Sequence, residues 1–150
     1  MKKIILIIFV VLIAGCGNKK EEKLDFKCIK SIVNENYTYR EVIGYYSFED
    51  GEPSKILYME DYIPSNKEGS LALINGMVSK KKSSLNKYKN MVFNQETKNS
   101  KIYVDYTIDL VDENIKLLKK DEKYKNYVKK DMFKADKFIE DLVINEYTCE

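Results

Sequence analysis

YTYREVIGYYSF at residues 37–48 and KILYMEDYI at residues 55–63 decide the fold of this chain. Both segments are rich in tyrosine and β-branched residues, which favour extended strands. The intervening EDGEP at 49–53 is typical of a tight turn, because Gly51 can take a positive φ angle. The two segments are therefore predicted to form a β-hairpin, with a bend at Gly44 in its first strand.

Alternation of apolar and polar residues predicts three further strands. Residues 24–30 alternate, and Leu24, Phe26 and Cys28 are expected to share one face. Residues 91–96 and 101–110 read as strands joined by a turn at 97–100. In the last strand the expected inward residues are Ile102, Val104, Tyr106, Ile108 and Leu110, and the expected outward residues are Tyr103, Asp105, Thr107 and Asp109.

Helical spacing of apolar residues predicts two main helices. The first spans residues 67–90, with the lysines of 80–82 on its solvent side. Its inward residues are Leu71, Ile74, Val78, Leu85 and Tyr88. The second is expected to begin after an N-cap at Asp131 and to end near Ile144, where Asn145 would adopt the left-handed conformation. Residues 112–127 are charged and ambiguous, with one or two helical turns near Ile115 and Leu118.

The predicted element order is β-β-β-α-β-β-α, within one domain at residues 24–150. Strand pairs joined by short turns form antiparallel sheets, and helices segregated from them make an α+β fold. We therefore expect an antiparallel sheet of about five strands, with the two main helices packed on one face. The alternating strands fit a sheet that is half covered by helices.

The N-terminus carries an export signal. Lys2 and Lys3 precede an apolar run at residues 4–13, which is too short for the ~20 residues of a membrane-spanning helix. Small residues and then Cys16 follow, as at a signal-peptide cleavage site. LIAGC at residues 12–16 resembles the bacterial lipobox, which implies a diacylglyceryl thioether on Cys16 and cleavage before it. The alternative is an ordinary cleaved signal with a cysteine there by chance.

The resemblance to a lipobox implies a location. Residues 1–15 are the lipoprotein signal peptide, and residues 16–23 are a lipidated flexible tether. Two acyl chains give stable anchoring, where one chain binds a membrane only marginally. The protein is thus expected on the extracytoplasmic face of a bacterial cell membrane, with the membrane as a partner through its lipid.

Composition excludes several classes of function. The chain has 26 Lys and Arg against 24 Asp and Glu, so loss of Lys2 and Lys3 brings the formal charge close to zero. These charges are interspersed, which argues against a nucleic-acid partner. No histidine is present, which excludes Ser-His-Asp and Cys-His catalysis and histidine-based zinc or copper sites. No cofactor or metal is expected.

Two cysteines remain after Cys16. Cys28 and Cys149 lie near opposite ends of the domain, and an even count in an exported chain favours a disulfide. Such a bond would close a loop of about 120 residues, worth ~4–5 kcal/mol in the chain-entropy model. The alternative is two unpaired thiols.

These features together resemble a family. A lipobox, FKCIK at 26–30, a tyrosine-rich hairpin, a central helix and a terminal EYTCE at 146–150 are similar to small bacterial lipoproteins of the YehR-like kind. That group often ends in Gly-Tyr-Thr-Cys, and Glu146 stands where its glycine would be. The resemblance implies an α+β fold and a lipid anchor, and it transfers no catalytic residue.

Two sets of acidic residues have the composition of a catalytic or a calcium site. Glu60 and Asp61, with Asp105 and Asp109, have the composition of a paired-carboxylate site, although carboxylates on solvent faces are ordinary. The acidic stretches at 112–114 and 121–122 lack EF-hand spacing. No catalytic residue is therefore assigned.

Tyrosines are the candidate partner-binding residues, because exposed tyrosines give contact area at low entropic cost. The candidates are Tyr37, Tyr39, Tyr58, Tyr62 and Tyr103. The alternative is that tyrosine is simply a good strand former. The leading functional hypothesis is a non-enzymatic interaction module that contacts an envelope protein or wall component. A lipoprotein with a ligand pocket between sheet and helices is the second, and a hydrolase of envelope polymers is the third.

Overall fold

The computed structural model describes residues 20–150, which form an α+β domain. The main elements are β1 (Glu22–Val33), β2 (Tyr37–Phe48), β3 (Pro53–Pro64), α1 (Ser70–Leu85), β4 (Val92–Lys98), β5 (Lys101–Asp109), α2 (Asp112–Leu118) and α3 (Ala135–Ile144). The short elements are a 3-10 turn (Lys125–Tyr127), β6 (Val128–Lys129), β7 (Met132–Phe133) and β8 (Thr148–Cys149). None of the helices in this described part has the length and apolar character needed to cross a membrane.

Six strands form one antiparallel sheet in the order β4-β5-β3-β2-β1-β8. The prediction of an α+β class with an antiparallel sheet is confirmed, and so is the hairpin of β2 and β3. The predicted counts of strands and helices are wrong in detail. The terminal tail adds β8 at the edge, and α2 makes a third helix. The α2 helix lies where one or two helical turns were expected near Ile115 and Leu118, whereas β8 is too short to give a periodic sequence signal.

One face of the sheet, called here the covered face, packs against all three helices. Ile74 and Val78 of α1, Leu118 of α2 and Phe138 of α3 join one core cluster with the buried side chains of this face. The inward residues predicted for β5 all lie in that cluster: Ile102, Val104, Tyr106, Ile108 and Leu110. No helix among residues 20–150 contributes buried side chains to the other face, called here the open face.

A β-bulge near the start of β1 reverses one predicted side chain. Leu24 pairs with Tyr46, whereas Phe26 pairs with Tyr45, so Asp25 is an extra residue in β1. An extra residue breaks the period-two alternation. Leu24 therefore lies on the open face, and the prediction that it shares a face with Phe26 is wrong.

The ends of α3 also differ from the prediction. Asp131 is not its N-cap, because Asp131 has φ 56° in the turn between β6 and β7. The helix begins instead at Ala135, after an extended Lys134. Asn145 has φ −87°, so it is not the left-handed residue. That conformation belongs to Glu146, at φ 67°, the position of the glycine in the resembling family.

A disulfide between Cys28 and Cys149 fastens the C-terminus to the sheet, as predicted. The two cysteines are register partners across β1 and β8. Lys27 and Glu150 exchange two backbone hydrogen bonds beside them, with N···O distances of 2.8 and 2.9 Å. The sequence separation is 121 residues, for which the chain-entropy model gives a stabilisation of about 5 kcal/mol.

Candidate functional site

The open face carries a contiguous apolar surface, called here the open-face patch. It consists of Leu24, Ile29, Val42, Tyr46, Leu57, Met59, Ile63, Val92 and Tyr103. Met59 and Ile63 are each 40% exposed and Val92 is 54% exposed. Contiguous apolar surface of this kind on a soluble domain marks a binding site more often than an isolated exposed side chain does.

The missing side chain of Gly44 leaves room for neighbouring side chains of the patch in the middle of β2. A Cβ atom at this position would lie 3.1 Å from Tyr46 and 3.4 Å from Leu24. Leu57 is also within contact distance, at 3.9 Å. The absence of a side chain at Gly44 therefore allows three apolar side chains from neighbouring strands to meet.

Acidic side chains border the patch. A shallow hollow of about 330 Å³ is lined by Leu57, Met59, Asp61, Tyr103 and Asp105, among others. Within it the Asp105 carboxylate accepts a hydrogen bond from the Asn94 amide at 2.8 Å. Asp61 pairs with Arg40 across β2 and β3 at 3.5 Å. Asp109 lies on the same face of β5, opposite Lys55.

The candidate tyrosines divide between the two faces. Tyr58 and Tyr62 lie on the covered face with 0% and 1% of their surface exposed, so they are not available to a partner. Tyr37 and Tyr39 are half-buried and pack against the same core. Tyr103 alone belongs to the open-face patch, at 37% exposure. Of the five candidates only Tyr103 therefore lies on the open face, because the β2 and β3 candidates alternate onto the covered face.

The covered face holds two buried carboxylates that the sequence analysis did not bring together. Glu41 and Glu60 are directly opposite each other on β2 and β3. Both are buried, at 6% and 1% exposure. Like charges in this position are destabilising unless other groups compensate them. Their signal in the sequence is that each shares the phase of the apolar covered-face residues, where carboxylates are rare.

Hydrogen bonds from cationic and phenolic groups compensate these charges. The Lys81 ammonium of α1 donates to the Glu60 carboxylate. Tyr62 and Tyr106 hydroxyls donate to it as well, at 2.8 and 3.2 Å. The Tyr147 hydroxyl, just before β8, donates to Glu41.

Burial raises the pKa of most tyrosines around these carboxylates. Nine of the twelve tyrosines have a raised pKa, and burial is the largest cause in every case: Tyr39, Tyr45, Tyr58, Tyr62, Tyr88, Tyr106, Tyr124, Tyr127 and Tyr147. Burial with the nearby Asp25 carboxylate raises the pKa of Tyr45 to about 12. Burial with a hydrogen bond to Asp141 raises the pKa of Tyr127 to about 12. These phenols stay protonated near neutral pH and act there as hydrogen-bond donors.

Two cavities lie between the covered face and the helices. The larger, of about 460 Å³, is lined by Lys80 and Lys81 of α1, Tyr106 of β5, and Lys123 and Tyr124 after α2, among others. The smaller, of about 260 Å³, lies beside α3 and is also lined by Lys123. Lys123 is thus the side chain common to both cavities.

The Lys123 ammonium reaches the floor of this region. Its Nζ lies 4.5 Å from the ring centroid of Tyr58, a residue with no exposed surface, and 5.2 Å from that of Tyr124. The residue as a whole is exposed, so it extends from solvent to the buried floor. Burial lowers the pKa of the Lys123 ammonium, and the carboxylates of Glu41 and Glu60 oppose that shift. The sequence analysis missed Lys123, since one lysine in a charged loop has no distinguishing pattern.

The remaining candidate sites are not assembled by the fold. Glu60 lies on the covered face, whereas Asp61, Asp105 and Asp109 lie on the open face, so the sheet separates the carboxylates considered as a pair. Within residues 20–150 no group of three or more acidic or cysteine side chains is placed to hold a metal ion. The predicted signal peptide at 1–15, the predicted lipidation site Cys16 and residues 17–19 of the predicted tether lie outside the described residues. The described end of the tether is bound to the domain, because Lys20 pairs with Asp50 at 2.6 Å and β1 begins at Glu22.

No family model, curated protein or solved structure matches this chain. The resemblance to YehR-like lipoproteins therefore remains a prediction. The features of the structure that bear on function are the open-face patch and the cavities beside the covered face.

Proposed function

We propose that this protein is a lipid-anchored extracytoplasmic lipoprotein that binds a partner protein of the cell envelope through the open-face patch, without catalysing a reaction. The observation that carries the proposal is the set of exposed apolar side chains on the uncovered face. Burying them against a partner would gain about 25 cal/mol for each Å² of apolar surface removed from water.

The chemistry of the partner follows from the border of the patch. Asp61, Asp105 and Asp109 lie among the apolar side chains of β3 and β5. A matching surface would present apolar side chains flanked by lysine or arginine, because complementary charges steer association and suppress wrong partners. Asp61 and Asp109 face Arg40 and Lys55 on this surface, whereas Asp105 has no cationic partner among residues 20–150, so Asp105 is the carboxylate that a basic group of the partner would meet.

The anchor would keep this encounter close to the membrane. Only residues 17–21 separate Cys16 from the start of β1. At about 3.3–3.6 Å for each extended residue, the reach of this tether is roughly 20 Å. The tether therefore holds the start of β1 within about that distance of the membrane, and the partner is accordingly a membrane or wall protein near the membrane surface.

Crosslinking on intact cells tests the patch. A photoreactive amino acid at Met59 or Tyr103 should capture a discrete protein, whereas the same residue at Lys137, exposed on α3, should not. Adding Asp105→Lys should weaken the capture at Met59 and leave the melting temperature nearly unchanged. Equal capture from both faces, or none at Met59 and Tyr103, would show that the open face is not the binding surface.

Fractionation tests the anchor separately. The unaltered protein should sediment with membranes and incorporate labelled palmitate, whereas Cys16→Ala should lose the label. Palmitate labelling that survives Cys16→Ala would contradict the lipobox assignment.

A second candidate function is binding of a small ligand between the sheet and the helices. The observation that favours it is the cavity of about 460 Å³, which lies within the size range of small-molecule sites and has polar groups on aromatic walls. The buried carboxylates argue against catalysis in this region, since the Glu60 oxygens already accept hydrogen bonds from Lys81, Tyr62 and Tyr106.

A further inference from the structure

The region between the sheet and the helices contains an ammonium group without an anionic partner. Three carboxylates act on the Lys123 ammonium, and each has another partner: Glu60 pairs with Lys81, Asp121 pairs with Lys87, and Glu41 accepts a hydrogen bond from the Tyr147 hydroxyl. Within residues 20–150, Lys123 forms no ion pair and its Nζ donates no hydrogen bond to a protein atom; it lies over the rings of Tyr58 and Tyr124. Although the residue as a whole is exposed, its ammonium lies over the rings of buried tyrosines, where an anion beside it would stabilise the charge.

The larger cavity collects further positive charge around Lys123. Lys80 and Lys81 from consecutive positions of α1 line the same space. The one acidic side chain in that lining is Asp121, whose carboxylate also accepts a hydrogen bond from the Tyr88 hydroxyl at 2.9 Å. The lining of the cavity therefore carries positive charge from its lysines, which the carboxylate of Asp121 neutralises only in part.

The walls of the cavity have a different character. Tyr106, Tyr124 and Leu85 supply aromatic and aliphatic surface, and all three are buried. Ligand sites commonly combine such walls with a few polar groups that fix orientation. A ligand that fits would have a compact anionic end and a small apolar or aromatic body.

We propose that this cavity binds a small phosphate monoester, with its phosphate on Lys123 and Lys80 and its organic part against Tyr106 and Tyr124. The proposal rests on the second candidate function and names its ligand class. Lysine binds phosphate as a point charge, and a phosphate near its second ionisation carries more charge than a carboxylate of similar size. Two lysines in the lining of one cavity match that charge better than a single lysine would.

Calorimetric titration of the full-length protein in mild detergent tests the proposal, with phenyl phosphate as the probe and neutral phenol as its uncharged counterpart. Phenyl phosphate should bind, and phenol should bind at least tenfold more weakly. Lys123→Met should reduce the affinity for phenyl phosphate by about tenfold or more, the factor expected from losing one charge-assisted hydrogen bond. The melting temperature of Lys123→Met should be unchanged or raised, which separates lost binding from lost folding.

Lys125→Met is the matched control. Lys125 lies two residues further along the same loop, and its ammonium pairs with Glu122 at the surface. It should bind phenyl phosphate as the unaltered protein does. Equal losses of affinity in the two variants would overturn the assignment of Lys123.

The remaining outcomes separate this inference from the functions proposed above. Equal binding of phenol and phenyl phosphate would overturn the phosphate class and leave a ligand cavity. No binding of either probe would overturn both the phosphate class and the second candidate function. Capture of a partner at Met59 and Tyr103 involves the opposite face of the sheet, so it would stand or fall independently of these titrations.

Discussion

Glu60 and Asp61 are neighbours in β3, yet their surroundings differ because they lie on opposite faces of one sheet. The Glu60 side chain has no exposed surface and pairs with Lys81, whereas Asp61 is 33% exposed and pairs with Arg40. Tyr106 and Tyr103 on β5 repeat the contrast, at 2% and 37% exposure. The same residue types therefore stabilise the fold on the covered face and remain available for binding on the open face.

Alkaline pH should produce the largest effect on the covered face. A phenol with a raised folded-state pKa binds its proton more tightly when folded, so above pH ~10 the unfolded state holds fewer protons and stability falls as pH rises. For Tyr45 and Tyr127 the loss runs from about pH 10 to their folded pKa of about 12. A buried tyrosine contributes up to about 1.4 kcal/mol per pH unit in that window, and the half-buried Tyr127 contributes less because solvent screens it.

Urea unfolding at a series of pH values, followed in parallel by tyrosinate absorbance, measures this effect. The lowered pKa of Lys123 makes stability rise with pH only below the ordinary lysine pKa of about 10.4, so it does not offset the loss above that pH. The midpoint should fall steeply above pH 10, and most tyrosines should ionise together with loss of the fold. Ionisation of all tyrosines near pH 10 in a domain that stays folded would contradict the burial described for the covered face.

Breaking the two ion pairs of β3 separately should give unequal losses of stability. Lys81→Met leaves the Glu60 carboxylate buried without its cation, which typically costs about 3–5 kcal/mol. Arg40→Met breaks the half-exposed pair with Asp61 and should cost less than about 1 kcal/mol. Adding Glu60→Gln to Lys81→Met should recover part of the loss. Denaturant unfolding of residues 20–150, which contain the whole core, measures all variants; equal losses would remove the distinction between the two faces.

Truncating the two tyrosines of β5 should lower stability by different amounts, because one packs in the core and the other lies on the open face. Tyr106→Ala removes a ring that is stacked 4.7 Å from Tyr58, and large-to-small changes of aromatic core residues cost about 3–5 kcal/mol. Tyr103→Ala removes a ring from the open-face patch and should cost about 1 kcal/mol or less. A large loss for Tyr103→Ala would mean that the open face is structural, and the partner proposal would lose its main support.

The sequence predicted the parts of this fold that depend on local pattern. The β2–β3 hairpin, the alternation of β5 and the helix around Ile74 and Val78 follow from residue type and spacing. The even number of cysteines after Cys16, together with the export expected from the lipobox resemblance, predicted the bond between Cys28 and Cys149. Each signal reports a local preference or a covalent constraint, so it does not depend on which face the helices cover.

The face assignments could not be predicted in the same way. β3 is apolar on both sides, with Ile56 and Tyr58 on the covered face and Leu57 and Met59 on the open face. Alternation shows which residues of such a strand share a face, but it does not show which of the two faces the helices cover. In β1 the bulge at Asp25 moves the following residues to the other face, and no sequence signal marks it. The buried carboxylate pair could not be predicted for this reason. Glu41 and Glu60 become neighbours only when the strand register is known, and they become buried only when the helix positions are known.

The smallest expected effect concerns the end of α3, which leads into β8 at the edge of the sheet. Glu146 holds a left-handed conformation at φ 67°, which costs a residue with a side chain about 1 kcal/mol relative to glycine. Glu146→Gly should therefore raise the stability of residues 20–150 by up to about 1 kcal/mol, with a small loss from the 3.9 Å ion pair to Lys30. Asn145→Gly is the matched control and should destabilise, because the Asn145 amide donates to the Asp141 carbonyl at 2.7 Å and its φ of −87° needs no glycine. If Asn145→Gly were instead the stabilising change in urea unfolding, the helix would end at the residue that the sequence favoured, and the path from α3 to the disulfide would differ from the one described.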